Sequence, residues 1–461
     1  MRLQTLILFF ALVLTGQIQA QNAGSLKVGA AKVDITPEPG QLAFPTDTIR
    51  DRLYVRAIYI EDGTNSAVLA SVAGGARNNV LEVALPKSSA STGCPIENYV
   101  VSGTHSHSSS TGGLGGRGYP TQETITDALV SAVDMAKANL APARIGYGTT
   151  QLDLNVNRDH FNEHLEWRQS ANWEGVSDKT LAVLEFLGED DVPIAVYMNY
   201  AMHPVNFFRS GVISADFPGD ASTYVEEMFD NKTIALFSQA PSGDQNPKMA
   251  YTSIFQEGPV KAVLPPYNMP DRGTTPRNTP LTAVPAEELA AHKKNNERKS
   301  DYVRMLGHMI GNSALRTMLY HTELDSEASI WAGQKTFTVP GRERIDTSGR
   351  ENYDPGYKDG PDVTIKVGLL RIGDINMVSV NGEVYTEIGQ RLQAESPYSK
   401  TMMVTLANGS AGSGYIYSDN ATYHQTFQVL GSRLKPGYAE KGIVSAALDL
   451  MKEADVALKT P

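Results

Sequence analysis

A chain of 461 residues, 20% charged and 41% hydrophobic, has ordinary globular composition, which excludes a disordered chain, a collagen, a coiled coil and a polytopic membrane protein. Its 51 acidic and 40 basic side chains leave a net charge of −11; with no run of Lys or Arg, DNA and RNA are excluded as partners. The one cysteine, Cys94, cannot form an internal disulfide, and in TGCPIENY it reads as a packed thiol rather than a nucleophile.

Residues 1–20 read as a secretory signal peptide. Arg2 is a minimal basic region, Leu6 to Leu14 is an apolar stretch too short to span a bilayer, and Ala20 suits the cleavage point. The expected mature chain, 21–461, is periplasmic or secreted, has no transmembrane anchor and forms one catalytic-sized domain. It opens with a strand through Val28, Ala30, Lys32 and Asp34 that ends at Pro37. LYVRAIYIEDGTNSAVLASV predicts a hairpin around Asp62-Gly63. IENYVVSGTHSHSS is a strand running into a Ser/Gly-rich loop, and Ile125, Leu129, Val133, Ala136 and Leu140 then share a helical face. KTLAVLEFLG and VPIAVYMNYAMHPV are further strands, the second ending at His203. GDASTYVEEMF is a helix, and IALFSQAPSGDQNP is a strand entering a polar loop. Residues 256–285 carry seven prolines and predict a long ordered loop before a helix over 286–320, whose Tyr302, Leu306, Met309 and Ser313 share a face. TIKVGLLRIGDINMVSVNGEVYTEIGQRL predicts two strands and a helix with Glu383 at the junction, and a last helix follows Pro436 to about Lys459. The pattern is α/β: a mixed β-sheet core flanked by helices, with polar clusters at the C-terminal ends of strands, where such folds place ligands.

Three of those clusters carry chemistry: His105-Ser106-His107 after YVVSGT, His203 after MNYAM, and Glu383 after VSVNG. Two histidines and a carboxylate with an open position form a known hydrolytic zinc set, in which the metal acidifies water and polarises a carbonyl. Residues i and i+2 of an extended segment point the same way, which lets His105 and His107 face one cavity. His160, His164, His292, His308, His321 and His424 read as surface or hydrogen-bonded structural groups.

In these motifs the sequence resembles the neutral/alkaline (non-lysosomal) ceramidases, zinc amidohydrolases that cleave the N-acyl bond of ceramide. VGAAKVDITPEPG is similar to the family's opening strand, SGTHSHSSSTGG to its metal loop, NVNRD to its N-R segment, and NYAMHPVNF…SADFPGDAS to its H-P segment. SQAPSGDQNP, VNGEVYTEIG and NGSAGSGYIYSDNATYHQTF…RLKPGYAE resemble the family's G-D loop, glutamate segment and C-terminal tyrosine segment. The resemblance implies one Zn2+ per chain held by His105, His203, Glu383 and Tyr415. It implies that His107 assists at the reacting carbonyl or leaving group, and that Arg158 helps hold the oxyanion.

Three departures accompany it. The chain is expected to be a short form without the family's immunoglobulin-like C-terminal domain. Asn246 stands where ceramidases carry Ser before Pro247. The glutamate motif reads Asn381-Gly382-Glu383 rather than Pro-Gly-Glu. The expected function is thus a secreted metal-dependent hydrolase in which zinc-activated water attacks an amide. The alternative is an esterase, glycan hydrolase or lyase using the same His/Glu/Tyr site. The substrate is accordingly a small molecule, lipid or glycan. The Gly-, Ser-, Asn- and Asp-rich loops around the motifs predict a pocket more polar than two alkyl chains require, with 256–285 supplying the one apolar wall.

Overall fold

The computed structural model describes residues 26–42, 47–111, 118–208, 210–250, 286–321 and 323–459. The expected signal peptide and the proline-rich 256–285 segment lie outside them, as do the side chains of His292 and His321. The chain begins with β1 (Lys27–Asp34), β2 (Thr48–Ile49), and the hairpin of β3 (Tyr54–Glu61) and β4 (Ser66–Val72). Next come α1 (Asn78–Thr92), β5 (Tyr99–Gly103) and α2 (Gln122–Ala138). Strands β6 (Ala141–Gln151), β7 (Asn155–Phe161), β8 (Trp167–Asn172), β9 (Thr180–Gly188) and β10 (Pro193–Tyr200) follow. Then β11 (Val212–Ile213), α3 (Asp216–Met228), β12 (Ile234–Gln239) and β13 (Gln245–Pro247) precede α4 (Ala286–His321). The last part holds β14 (Ile330–Arg344), β15 (Tyr357–Ile372), β16 (Ile375–Val380), β17 (Glu383–Val384) and α5 (Thr386–Glu395). It ends with β18 (Thr401–Val404), β19 (Tyr415–Ile416), α6 (Phe427–Gly431) and α7 (Ala439–Lys459).

The fold is mixed α/β, as the sequence predicts. An eight-stranded sheet runs β12-β10-β9-β6-β1-β3-β4-β5, with parallel pairs at each edge and antiparallel pairs between. A four-stranded sheet runs β14-β15-β16-β18. Period-two alternation sorts the side chains by face. Ile58, Leu69, Leu184, Tyr197 and Leu236 of the large sheet pack against Leu370, Met377, Met402 and Val404 of the small one. The alternate residues Val55, Ala57 and Val68 pack against Leu129, Ala132 and Val133 of α2. Val183, Val196, Met198 and Phe237 meet α3 and α4, and Val378 and Met403 meet α5 and α7. Helices therefore cover the outer faces of both sheets, and the inner faces cover each other.

The buried stripe of α4 differs from the expected one. Val303, Leu306, Ile310 and Ala314 are buried, while Met309 is 42% exposed. Gly307 and Gly311 let α4 approach α3 closely: a Cβ at Gly307 would lie 2.8 Å from the Ala221 nitrogen, and one at Gly311 2.7 Å from the Tyr224 ring. That approach centres the buried face on the 303/307/310/314 ridge. Cys94 is buried, donates to the Ser66 carbonyl at 3.4 Å, and burial pushes its thiol up to about 11, which is the packed thiol expected.

The eight-stranded sheet is curled, and this curl positions the site. Its two edge strands, β5 and β12, are both tied to the segment after β18. Thr405 N donates to the Gln239 carbonyl at 2.9 Å, Gly103 N to Leu406 at 3.2 Å, and Asn408 N to Val101 at 2.8 Å. Leu406 N also reaches the Gly382 carbonyl at 3.1 Å. Strand ends that are far apart in sheet order thus meet at one place.

Asp216 opens α3 with no exposed surface and φ 56°. It accepts from Asn206 N at 2.9 Å, Asn206 Nδ2 at 2.8 Å and Phe217 N at 2.7 Å. Burial pushes its carboxyl up to about 6, against these hydrogen bonds. A raised carboxyl binds its proton more tightly in the folded state, so its contribution is fully present below the ordinary value of 3.8 and is lost as pH rises through about 6. Urea unfolding is expected to show this as a difference from the parent: His203 and His107, held low, push the parent's total slope the other way, and in Asp216→Asn stability rises more, or falls less, with pH across that window. Asp244, raised to about 6 mainly by burial, supplies a further part. An unchanged slope in the variant would refute the assignment to Asp216.

Candidate metal centre

His105 lies two residues past β5, where the chain crosses the turn after β4. His105 N donates to the Gly74 carbonyl at 2.9 Å, and Gly74 itself has φ 81°. Gly103 permits the crossing: a Cβ there would lie 2.7 Å from the Gly74 oxygen and 2.9 Å from the Gly75 Cα. His105 takes φ 66°, a left-handed conformation that costs a non-glycine residue about 1–2 kcal/mol and persists only where surrounding bonds enforce it. The reason given for His105 and His107 facing one cavity is therefore corrected. They converge through this turn, with Nε2 atoms 3.3 Å apart, and not through an extended i, i+2 pair. His107 N is held by the Pro204 carbonyl at 3.1 Å.

His203 follows β10 by three residues and is fully buried. Its Nδ1 donates to the Ser242 carbonyl at 2.7 Å, which directs the Nε2 lone pair into the cluster. Glu383 and Tyr415 arrive together, since β17 and β19 pair in parallel with those two residues in register. Arg158 comes from the middle of β7 and is 2% exposed. Its Nη2 donates to the Gly243 carbonyl at 2.6 Å and to Tyr415 Oη at 3.1 Å, and its Nη1 to Asn246 Oδ1 at 3.2 Å.

The acceptor atoms converge. His105 Nε2 and His203 Nε2 are 3.2 Å apart, and Glu383 Oε2 is 3.3 Å from the first and 3.4 Å from the second. Glu383 Oε2 is buried with no hydrogen-bond partner. With the Nε2 lone pairs of both histidines turned inward, three such atoms at these separations repel one another unless a cation lies among them. A tetrahedral zinc with arms of about 2.0–2.1 Å separates its ligand atoms by roughly 3.3–3.4 Å, so the donor set fits such an ion in both chemistry and spacing. The Nε2 of His107 is also near, and the ligand atoms of His105, His107 and His203 all lie within 4.8 Å of one another, which makes a three-histidine set the other combination these residues could offer.

Burial, followed by the neighbouring His105 and His203, holds His107 well below the ordinary histidine value. Burial first, then Arg158, takes His203 down to about 3. Both imidazoles are neutral at physiological pH, as metal ligands and bases must be. Burial pushes the Glu383 carboxyl up, but His105 and His203 reverse this and leave it well below its ordinary value. Burial, then Glu383, raises the Tyr415 phenol.

All six residues singled out from the sequence meet at this centre. The sequence reading missed their supports: the Ser242 and Gly243 carbonyls, whose SQAPSGDQNP loop was its only signal, Phe208 with its ring 5.5 Å from His107, and Phe427 with its ring 5.6 Å from Tyr415. Tyr417, two residues from Tyr415, instead donates to the Leu434 carbonyl at 3.1 Å. Of the remaining histidines, His160 bonds Ser170, His308 packs on Tyr224, and His424 bonds Asp159. Gly103→Ala is expected to cost about 1–3 kcal/mol of stability and to lower metal content together with it, because the clash displaces the backbone that carries His105. Denaturation and metal analysis of the variant check this, and full metal content at unchanged stability would refute it.

The family model for the N-terminal part of neutral/alkaline non-lysosomal ceramidases matches residues 27–259. The chain is 25% identical over 275 residues to the neutral ceramidase of Drosophila pseudoobscura pseudoobscura, covering 53% of this chain and 39% of that one. It is 26% identical over 249 residues to the neutral ceramidase of Pseudomonas aeruginosa, covering 48% and 37%. The chain thus spans about two fifths of the length of these curated relatives. The crystal structure of the Pseudomonas aeruginosa neutral ceramidase superposes with a TM-score of 0.67 at 17% identity, covering 93% of this chain and 75% of that one, which shows a shared fold. With the family model matching half of its length, the chain belongs to the neutral/alkaline non-lysosomal ceramidase family.

Proposed function

We propose that this protein is an exported metal-dependent amidohydrolase that cleaves an N-acyl bond of the ceramide type. The observation that carries the reading is the triangle of His105 Nε2, His203 Nε2 and Glu383 Oε2, 3.2–3.4 Å on each edge, with Arg158 and His107 beside it. These three residues would hold a divalent ion, zinc by their chemistry, with Tyr415 as a further oxygen donor. When bound, that ion supplies Lewis acidity, which acidifies water and polarises a carbonyl. The guanidinium of Arg158, 3.5 Å from His203 Nε2, places fixed positive charge beside the position where a carbonyl oxygen gains negative charge. Neutral His107 takes a proton from the attacking water and returns it to the leaving nitrogen. Phe208 covers one edge of His107 and Phe427 closes the floor under Arg158 and Tyr415, which keeps bulk water from competing for these groups.

The polar loops around the centre support a preference for short or polar acyl groups. The test is hydrolysis of N-acylsphingosines with short and with long acyl chains by the zinc-loaded protein. Sphingosine release, faster from the short-chain substrate, is expected. Release from neither would refute the N-acyl reading, and faster release from the long chain would refute the polar-pocket reading.

A further inference from the structure

A cavity of about 740 Å³ lies on the far side of β7 from the His105 centre. Strand alternation puts Arg158 into the centre and the flanking Asn157 and Asp159 into this cavity. None of the six residues that meet at the centre lines it, and its volume suits a small molecule.

One wall is aromatic. The Trp167 ring stacks on His424 at 4.1 Å and 29°, with Phe161 5.2 Å from Trp167, and Trp173 stands at the mouth 64% exposed. The remaining lining is rich in hydrogen-bond acceptors. Asp159 and Asp244 are buried in it with their oxygens already accepting from Tyr385, His424, Thr426, Gln428, Asn157 and Thr386, and Glu387 lines it beside them. Four donors are committed within the wall. Asn157 Nδ2 bonds Asp244 at 2.9 Å, Asn172 Nδ2 bonds the Asp159 carbonyl at 2.8 Å, Asn420 Nδ2 bonds Glu387 at 3.0 Å, and the Ser418 hydroxyl bonds Glu387. A carboxylate has about four acceptor positions, so Glu387 keeps lone pairs for a ligand. Among the described lining residues there is no Lys or Arg; Lys248 Nζ lies 5.9 Å from the centroid of the Trp173 ring.

These features select a ligand. An anion meets carboxylates with only Lys248 near, and that lysine is already paired with Asp153. A purely apolar ligand would strip water from the acceptors without replacing it. A ligand that donates several hydrogen bonds from its rim and offers a flat C–H face to aromatic rings satisfies both walls, and a pyranose ring has that anatomy. We propose that this cavity is a saccharide site, binding one neutral hexose-type ring against Trp173 and the Trp167–His424 wall. The site is separate from the hydrolytic reading, and its test does not depend on that reading.

The test titrates the purified zinc-loaded protein with methyl glucoside, methyl galactoside, N-acetylglucosamine and cellobiose, read by tryptophan fluorescence and saturation-transfer NMR. Tetramethylammonium and inorganic phosphate serve as competing probes. At least one sugar is expected to bind, and Trp173→Ala is expected to weaken it about tenfold or more, with metal content and thermal midpoint unchanged because Trp173 is a surface residue. Asn420→Ala, at the opposite rim and also exposed, gives a second variant with the same expectation. Binding of none of the sugars, binding unchanged in both variants, tighter binding of either competing probe, or sugar binding lost on removal of the metal would each overturn the proposal.

Discussion

His203→Ala is expected to lose metal and hydrolysis together. The side chain is fully buried, its Nδ1 proton is committed to the Ser242 carbonyl, and its Nε2 is one corner of the acceptor triangle. Removing it leaves His105, Glu383 and Tyr415, and a binding site with one ligand fewer holds its ion weakly. Zinc that binds only the folded state stabilises it by about 2.7 kcal/mol at a hundredfold excess over Kd. The thermal midpoint of the parent chain should therefore rise on adding zinc, and that of the variant should not. The midpoint without metal separates ligand loss from collapse of the fold, since a cavity at a fully buried position lowers it in both conditions. Stoichiometric metal in the variant, or a zinc-dependent midpoint equal to the parent's, would sink the assignment.

For His107→Ala the expected outcome is metal retained and hydrolysis reduced by roughly 10²–10⁴-fold, the usual contribution of a positioned acid/base group. The Nε2 of His107 lies 3.3 Å from that of His105, close enough either to reach a reacting atom or to serve as a third imidazole ligand. The two roles part experimentally. Loss of metal along with activity would transfer His107 to the ligand set and refute the acid/base role. Retained metal with normal turnover would leave it as packing against Phe208. His107→Gln, which keeps a polar side chain of similar reach, should preserve the fold and metal without restoring proton transfer.

How much of this was legible beforehand follows from the range of the forces involved. Strands β1, β3, β4, β5, β9 and β10 and helices α2, α3, α4 and α7 carry their own periodicity. Each buries a defined face, and alternation or a 3.6-residue stripe shows in a short window. Helix α1 was not read from the sequence, because Pro86 interrupts its middle and its buried positions Val80, Leu81, Ala84 and Ser88 mix apolar with polar residues. The α4 face was read one ridge away from the true one. The glycines that set the α3–α4 approach have no side chain and so leave no mark on a hydrophobic pattern.

The sequence by itself determined the chemistry available: two histidines two residues apart, a third before proline, a glutamate after a strand, an arginine and a tyrosine, each in a recognisable local motif. Only the tertiary structure decided that they meet. His105 and His203 follow strands β5 and β10, the first at one edge of the large sheet and the second next to its other edge, and Glu383 opens the short strand β17 outside both sheets. Their convergence depends on the sheet curling until both of its edges hydrogen-bond the 405–408 segment. It depends also on the left-handed turn at His105 and on the Ser242 and Gly243 carbonyls that aim His203 and Arg158. Those are main-chain interactions between residues far apart in the chain. Backbone carbonyls and amides are the same at every position, so no pattern of side chains announces which of them will be brought together.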